Sequence, residues 1–419
     1  MSEIDLKKAG KSDEEIETKD NDNSDDENEN EKSDIKDKND EQADSKNADE
    51  KKPVGKRLPL KERIKNFFKN PKKRLIFIIS LGVLLIAIFS LGLYLMTHDK
   101  TKTEEPVATT STPTEVKYPA VLNGVMTDQA SANRHPLGVI IENHTDARPQ
   151  SGLEQADVVY ETIAEGGITR FLAVFGTNQP EKVGPIRSAR TYFVDWIHGY
   201  NGYLAHVGGN YDALDKIKAD GILDLDQFRY SGPYWREKGL GVASEHTMFS
   251  SIIKLREQAD KNKYATANTF TVYKYKEEPT EALPEAQNVT IKFSGNSSST
   301  YEATFAYDKL TNSYKRSQGG KPHTDRVTKN QISPKNVVTM TVDKKSTVTK
   351  INEQGYAMTT VGTGKARFYI DGKETIGTWK KESAASRELF YDATGTEVIF
   401  GRGQLWICVV SSDSTITAI

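Results

Sequence analysis

One cysteine, Cys408, stands in 419 residues, so neither an internal disulfide framework nor a multi-thiolate zinc or iron–sulfur site can form within the chain. It lies inside the apolar run LWICVV and reads as a core thiol. Histidine is scarce too, at seven, and none falls in an HExxH or other helical zinc spacing, so no protein-held transition metal is expected. The EGGITR turn lacks the full GxGxxG fingerprint and the Walker Lys-Ser/Thr pair, which removes the basis for nucleotide binding there. It also lacks the GxSxG elbow of many serine hydrolases. Net charge is nearly absent: from residue 75 onward 38 basic residues meet 38 acidic ones, so a nucleic-acid-binding surface is not expected.

What charge there is lies in blocks. The first 50 residues carry 20 Asp and Glu against 8 Lys with almost no aromatics, so residues 1–54 are read as a disordered acidic tail. Residues 55–74 form a basic segment with 11 Lys or Arg in its neighbourhood from 51 to 74. Then come 22 uncharged residues, 75–96, LIFIISLGVLLIAIFSLGLYLM, long enough as a helix to cross a bilayer. The basic flank before them and the nearly neutral flank after them predict a cytoplasmic amino end and an outward-facing remainder. No cysteine adjoins this segment, so lipid attachment there by the bacterial lipoprotein route is excluded. Residues 97–118, rich in Thr, Pro and Glu, read as an extracytoplasmic linker.

The folded part is expected to divide around residues 265–285, where EEPTEALPEAQN interrupts the apolar pattern. Residues 119–270 predict an α/β ectodomain, with buried strands LGVIIEN, DVVYETIA, RFLAVFG and GYLAHVGG. A helix after Pro185 presents Tyr192, Phe193, Trp196, Ile197 and Tyr200 on one face with Ser188 as its N-cap, and a second runs from about Tyr211 to Asp220. Residues 286–413 predict a mostly β domain, from short β-branched and aromatic runs punctuated by DG, TG and GG turns. The order of its strands does not follow from one sequence.

Chemistry concentrates in the first of these parts. In VGPIRSARTYF, Gly-Pro forces a turn and Arg187 and Arg190 flank the start of a helix; Arg170, heading the RFLAVFG strand, faces them. Three guanidiniums in one corner predict an anion site for phosphate or carboxylate. The alternative is that Arg187 and Arg190 pair with Glu161 or Glu165 and tie layers together. EGGITR is a tight turn that brings Glu165 and Arg170 to one rim. His206, beside a Gly-Gly turn, and Glu165 are the candidates to move a proton. His246 follows Glu245, which could orient it, and His144 follows Glu142 and Asn143. The candidate ligand set is therefore Arg170, Arg187, Arg190, His206 and His246. No cofactor is expected, Mg²⁺ entering only with a phosphate ligand on acids such as Glu142, Asp146, Glu161 or Glu165.

The string PLGVIIENHTDARPQSGLEQADVVYETIAEGGITRFLAVF, with KVGPIRSARTYF, LAHVGGN, YKRSQGGKPHTD, GKARFYIDGKETIGTWKKES and GQLWICVV, resembles the YerB-like family of bacterial membrane-attached envelope proteins. The resemblance implies a two-domain extracytoplasmic protein of the cell membrane, from a family without agreed biochemical activity, whose relatives are often lipoproteins. Two departures stand out: an apolar helix replaces the lipid-bearing cysteine, and ASEHTMF occupies the place of a usual Pro-His-Asn segment around His246. A fainter similarity, TRFLAVF followed by GPIRSAR, is to the LytR-CpsA-Psr phosphotransferases, without their arginine-serine-aspartate strand entry. The functional expectation is an envelope protein that binds an anionic cell-wall or lipid-linked glycan. The alternatives are an enzyme that transfers or cleaves phospho-linked wall glycans, and a non-catalytic scaffold with protein partners.

Overall fold

The computed structural model describes residues 69–98, 116–279 and 287–418. The acidic tail 1–54, residues 55–68 of the basic segment and most of the linker 97–118 lie outside the described residues. The apolar run forms helix α1, Pro71–His98, which contains the expected span 75–96. Within it Arg74–Tyr94 has a mean hydropathy of 2.8, long and apolar enough by length and composition to cross a membrane. At 1.5 Å per residue that stretch reaches about 30 Å, the thickness of a bilayer's hydrocarbon core.

The described residues from 116 onward form a unit of their own, mostly β-sheet with few helices. Its principal sheet has ten strands: β1 Leu137–Glu142, β2 Val158–Ile163, β3 Thr169–Phe175, β4 Tyr203–His206, β5 Leu223–Asp226, β6 Asn336–Thr341, β7 Gly362–Ile370, β8 Lys373–Lys381, β9 Leu389–Asp392 and β10 Leu405–Val410. Their order is β9-β8-β7-β6-β10-β2-β3-β1-β4-β5. The pairs β6–β10, β10–β2, β1–β4 and β4–β5 are parallel, and the other five are antiparallel. Strand β10 thus lies between a strand from each sequence half, and the break expected at 265–285 is not a break in the sheet. A parallel neighbour far away in sequence leaves no local trace, which is why strand order was not legible beforehand.

The central strands β1, β2, β3, β4, β6 and β10 are buried on both faces and are rich in apolar residues, whereas β7 and β8 near one edge alternate buried and exposed residues. Alternate residues of β3 and β10 face opposite layers: Phe171, Ala173, Trp406 and Cys408 one way, Leu172, Val174, Leu405 and Ile407 the other. The second of these layers is filled by α2, Thr191–His198, through Tyr192, Phe193, Trp196 and Ile197, and by Ala213 and Ile217 of α3, Tyr211–Ala219. Asn210 caps α3, its side chain accepting from Ala213 N at 3.1 Å, and Gly221 ends it at φ +65° as the sequence predicted. Ser188, in contrast, is not the cap of α2: Arg190 holds that position, and the Ser188 carbonyl accepts from Arg170. The first layer is covered by Ile252, Leu255 and Ala259 of α4, Ile252–Lys261. A five-stranded sheet covers the rest of it, built from Val289–Lys292, Ala303–Asp308, Ser313–Gln318, Lys321–Pro322 and Thr415–Ala418. Of the aromatic residues in the β-rich half, Tyr314, Tyr369, Trp379 and Trp406 are buried, while Tyr391 is half-buried.

Candidate functional site

Three elements meet at the carboxyl end of β1. Residues 183–187 run beside it, with Glu142 N donating to Pro185 O and Arg187 N to Ile140 O, both at 2.9 Å. The short strand Met248–Ser250 flanks them on the other side, Ile186 N donating to Met248 O at 2.7 Å. This close sandwich needs glycine at 184, where φ is +134° and a Cβ would stand 2.9 Å from Met248 O. The arrangement brings Glu142, Arg187 and His246 together although they are 45 and 104 residues apart.

Glu142, buried, is gripped from both sides: Oε1 accepts from Arg187 Nε and Oε2 from His246 Nδ1, each at 2.9 Å. The His246 ring stacks on His144 with centroids 4.7 Å apart and planes within 10°. Glu245 stands at the rim, its Oε1 3.6 Å from Arg187 Nη2 and 3.9 Å from His246 Nε2. A cleft of about 230 Å³ opens here, its lining including Glu142, His144, Glu165, Arg170, Arg187 and His246. A second cavity, of about 500 Å³, lies between Glu165, Gly166 and the hairpin Lys344–Val348/Gln354–Met358, with Tyr356 in its wall. Glu165 lines both.

The three expected arginines do approach one another, but protein acceptors already engage each of them. Arg190 clasps Glu165 in a bidentate pair, its Nη2 donating at 2.8 Å, and gives Nη1 to Ala189 O. Arg170 donates Nη1 to Ser188 O at 2.8 Å and lies 3.7 Å from Glu165, the rim contact that the Gly-Gly turn predicted. Burial and the neighbouring Arg190 charge push the Arg170 guanidinium down to about 10, which leaves it charged at neutral pH. Burial would raise the Glu165 carboxyl, but the hydrogen bond and charge of Arg190 and the charge of Arg170 hold it below its ordinary value. The pairing alternative is thus realised for Arg190 with Glu165, while Arg187 takes Glu142 and Glu161 has another partner.

His206 is not part of the cleft. It is buried at the end of β4, with Nδ1 2.7 Å from Gly208 O and Nε2 2.9 Å from Asp224 Oδ1. Both partners are acceptors, so a ring that satisfies both carries two protons. Burial opposes that charge, but the hydrogen bond and charge of Asp224 and the charge of Asp226 outweigh it and raise the pKa.

The sequence reading missed a buried polar chain behind the cleft. Arg316 sits wholly buried on the strand Ser313–Gln318 and donates from Nη2 to both oxygens of Glu161 on β2, at 2.9 and 2.8 Å. Trp406 Nε1 at 3.0 Å and Thr169 Oγ1 at 3.1 Å also donate to Glu161, and the rings of Phe171, Phe305 and Trp406 surround the guanidinium. Arg316 Nη1 donates in turn to His323 Nδ1, and His323 Nε2 donates to Gln150 Oε1 at 2.8 Å. Gln150 completes the path to the cleft through Glu142 O and Asn143 Oδ1. A signal existed: strict alternation in SYKRSQ puts Arg316 on the same face as the core residue Tyr314.

Burial, joined by the charges of Arg316 and Arg148, holds the His323 imidazole well below its ordinary range, so the ring is neutral in the folded chain. Below about pH 6.5 the unfolded chain takes up a proton there and the folded chain does not, so acidification favours unfolding. From this residue the body is expected to lose up to about 1.4 kcal/mol per pH unit below that point. Melting curves between pH 7 and 5 measure it, and His323→Asn, which keeps an acceptor for Arg316, should flatten the slope. His206 contributes with the opposite sign, fully below about pH 6.5 and fading as the pH rises through its raised folded value.

Residues 122–265 match the family described as the N-terminal domain of a protein of unknown function (DUF3048), and residues 289–407 match the C-terminal domain of that family. The chain belongs to this family, that of the YerB-like proteins. It is 32% identical over 225 residues to YerB of Bacillus subtilis (strain 168), which its name presents as a candidate lipoprotein; the match spans 54% of this chain and 67% of that protein. A crystal structure of YerB from Bacillus subtilis is similar with a TM-score of 0.63 at 27% identity, covering 72% of this chain and 100% of that one.

Proposed function

We propose that the chain is a single-pass, membrane-anchored envelope protein whose body lies on the outer face, and that the cleft beside β1 binds the anionic group, phosphate or carboxylate, of an envelope ligand. The anchor is supported by α1, by the lysines and arginines before it, and by the lipoprotein name of the Bacillus relative. One observation carries the binding reading. Arg187 spends Nε on Glu142, yet its side chain is 27% exposed at the cleft, and among the described residues neither Nη group makes a hydrogen bond. With Nε fixed on Glu142 and only the exposed Glu245 carboxylate, 3.6 Å from Nη2, on its other edge, the guanidinium is oriented for a carboxylate or phosphate that displaces Glu245. The cavity beyond Glu165 offers space for the sugar or chain attached to that group. The enzymatic alternative gains nothing from the two groups expected to move a proton, since His206 is buried elsewhere and Glu165 is clasped by Arg190.

The test is native mass spectrometry of the full chain, purified from membranes in mild detergent and supplied with a polyprenyl phosphate. Loss of one charge-assisted hydrogen-bonding group costs about 1.5–3 kcal/mol, so Arg187→Ala should weaken binding roughly 10- to 100-fold. Arg187→Ala also leaves the buried Glu142 carboxylate with His246 alone, so the melting temperature should fall as well, and binding is compared at a temperature where both proteins are folded. Equal binding by wild type and Arg187→Ala, or none by either, would favour a scaffold.

A further inference from the structure

We propose that His144, His246 and Asp146, completed by Glu245, form a binding site for one divalent transition metal ion of the zinc class. The inference uses residues of the same cleft but does not depend on anion binding there. Ligand atoms of His144, Asp146 and His246 all lie within 4.8 Å of one another. Two donors on one zinc ion, each about 2.0–2.1 Å from it, stand roughly 3.4 Å apart, so closing the set takes a turn of the part-exposed His144 ring out of its stack on His246, its Nδ1 releasing the Asp146 N–H it now accepts where that nitrogen is the ligand. The outer members have room to follow, with the Asp146 side chain 52% exposed and that of Glu245 60%. Helical zinc spacings cannot reveal such a set. One imidazole comes from the turn after β1, and the other from the short turn before Met248, held there by backbone pairing with residues 183–187.

The second observation is how His246 is held. Its side chain is 7% exposed, and an ionised Glu142 can only accept, so Nδ1 carries the proton of the 2.9 Å bond. Nε2 is then free to donate its lone pair. Its nearest ionic neighbour is Glu245 at 3.9 Å, beyond hydrogen-bonding distance. A carboxylate that fixes one ring nitrogen and presents the other is the usual support of a metal-binding histidine. Arg187 grips the other oxygen of Glu142, which makes Glu142 a positioning residue rather than a ligand. Two imidazoles with one or two carboxylates suit zinc and its neighbours better than calcium or magnesium, which prefer all-oxygen sets. A dication would also change the electrostatics. Four carboxylates at or beside the cleft, Glu142, Asp146, Glu165 and Glu245, face three guanidiniums, and two added positive charges reverse that balance in favour of an anion.

The experiment is titration of the full chain, in detergent and stripped with a chelator, with Zn²⁺ against a chromophoric competitor, and with Co²⁺ to read the ligand field. One Zn²⁺ per chain is expected, with His144→Ala and His246→Ala each weakening it at least 100-fold and abolishing the Co²⁺ spectrum. Glu142→Gln should weaken binding roughly 10- to 100-fold while keeping the stoichiometry. If His246→Ala fails to fold, His144→Ala, on an exposed turn, still decides the matter. Failure to take up stoichiometric Zn²⁺, or uptake unchanged in His144→Ala, overturns the site. The two readings part cleanly: Zn²⁺ bound with no phosphate ligand captured defeats only the proposed function, and phosphate captured on Arg187 by a chain that takes up no Zn²⁺ defeats only the metal site.

Discussion

Replacing Arg316 with methionine should lower the melting temperature of the body by on the order of 10 °C, because it strands the Glu161 carboxylate, fully buried, without its charge partner. Breaking a buried ion pair from one side costs about 3–5 kcal/mol, since the remaining charge keeps its desolvation penalty and loses its partner. Both side chains are fully buried, and Arg316 binds both carboxylate oxygens. Removing both charges, as Arg316→Met with Glu161→Leu, should recover a large part of the loss. The recovery stays incomplete because Trp406 Nε1–H and the Thr169 hydroxyl lose their acceptor. Thermal melts of the single and double variants measure both steps. A single variant as stable as wild type would mean that the pair does not join the two layers.

The second large effect concerns strand β10. Ending the chain at Gln404 deletes the strand that pairs with β6 on one side and β2 on the other, both in parallel register. It takes away Trp406 and Cys408 from one core layer and Leu405 and Ile407 from the other. The truncated body should therefore show no cooperative melting transition at all, in the N-terminal half as well as the C-terminal one. Survival of a native-like transition from residues 119–270, by calorimetry or near-ultraviolet circular dichroism, would show that the N-terminal half folds alone.

Local structure was largely legible from the residues. β1, β2 and β4 fall within the apolar runs that announced them and β3 begins one residue ahead of its run, α3 starts at Tyr211 and its cap residue Asp220 precedes Gly221, and the Glu165-Gly-Gly turn brings Arg170 to the rim. These features depend on neighbours in sequence. The partnerships of charge were not legible, because they depend on strand order. Glu161 could not be assigned to Arg316, 155 residues away, without knowing that the five-stranded sheet covers β2 and β3. Ser188 failed as a cap for a related reason: its carbonyl is taken by Arg170 across the rim, and α2 begins only at Thr191. His144 and His246 gave no sign of their pairing, since spacing rules see only ligands on one element, whereas here Pro185 and Ile186 hold β1 and Met248 to one another. Of the five residues expected to bind, Arg170, Arg187 and His246 line the cleft, Arg190 stands behind it on Glu165, and His206 lies elsewhere.

The central claim is that the hollow at the end of β1 is a ligand site rather than a knot of internal ion pairs. Crystals of the chain grown with zinc and inorganic phosphate, with diffraction recorded on both sides of the zinc absorption edge, test it most directly. The account predicts an anomalous peak between His144, Asp146 and His246, with phosphate oxygens against the Nη groups of Arg187. A cleft that contains neither, with Glu142, Arg187 and His246 holding only one another, would contradict it.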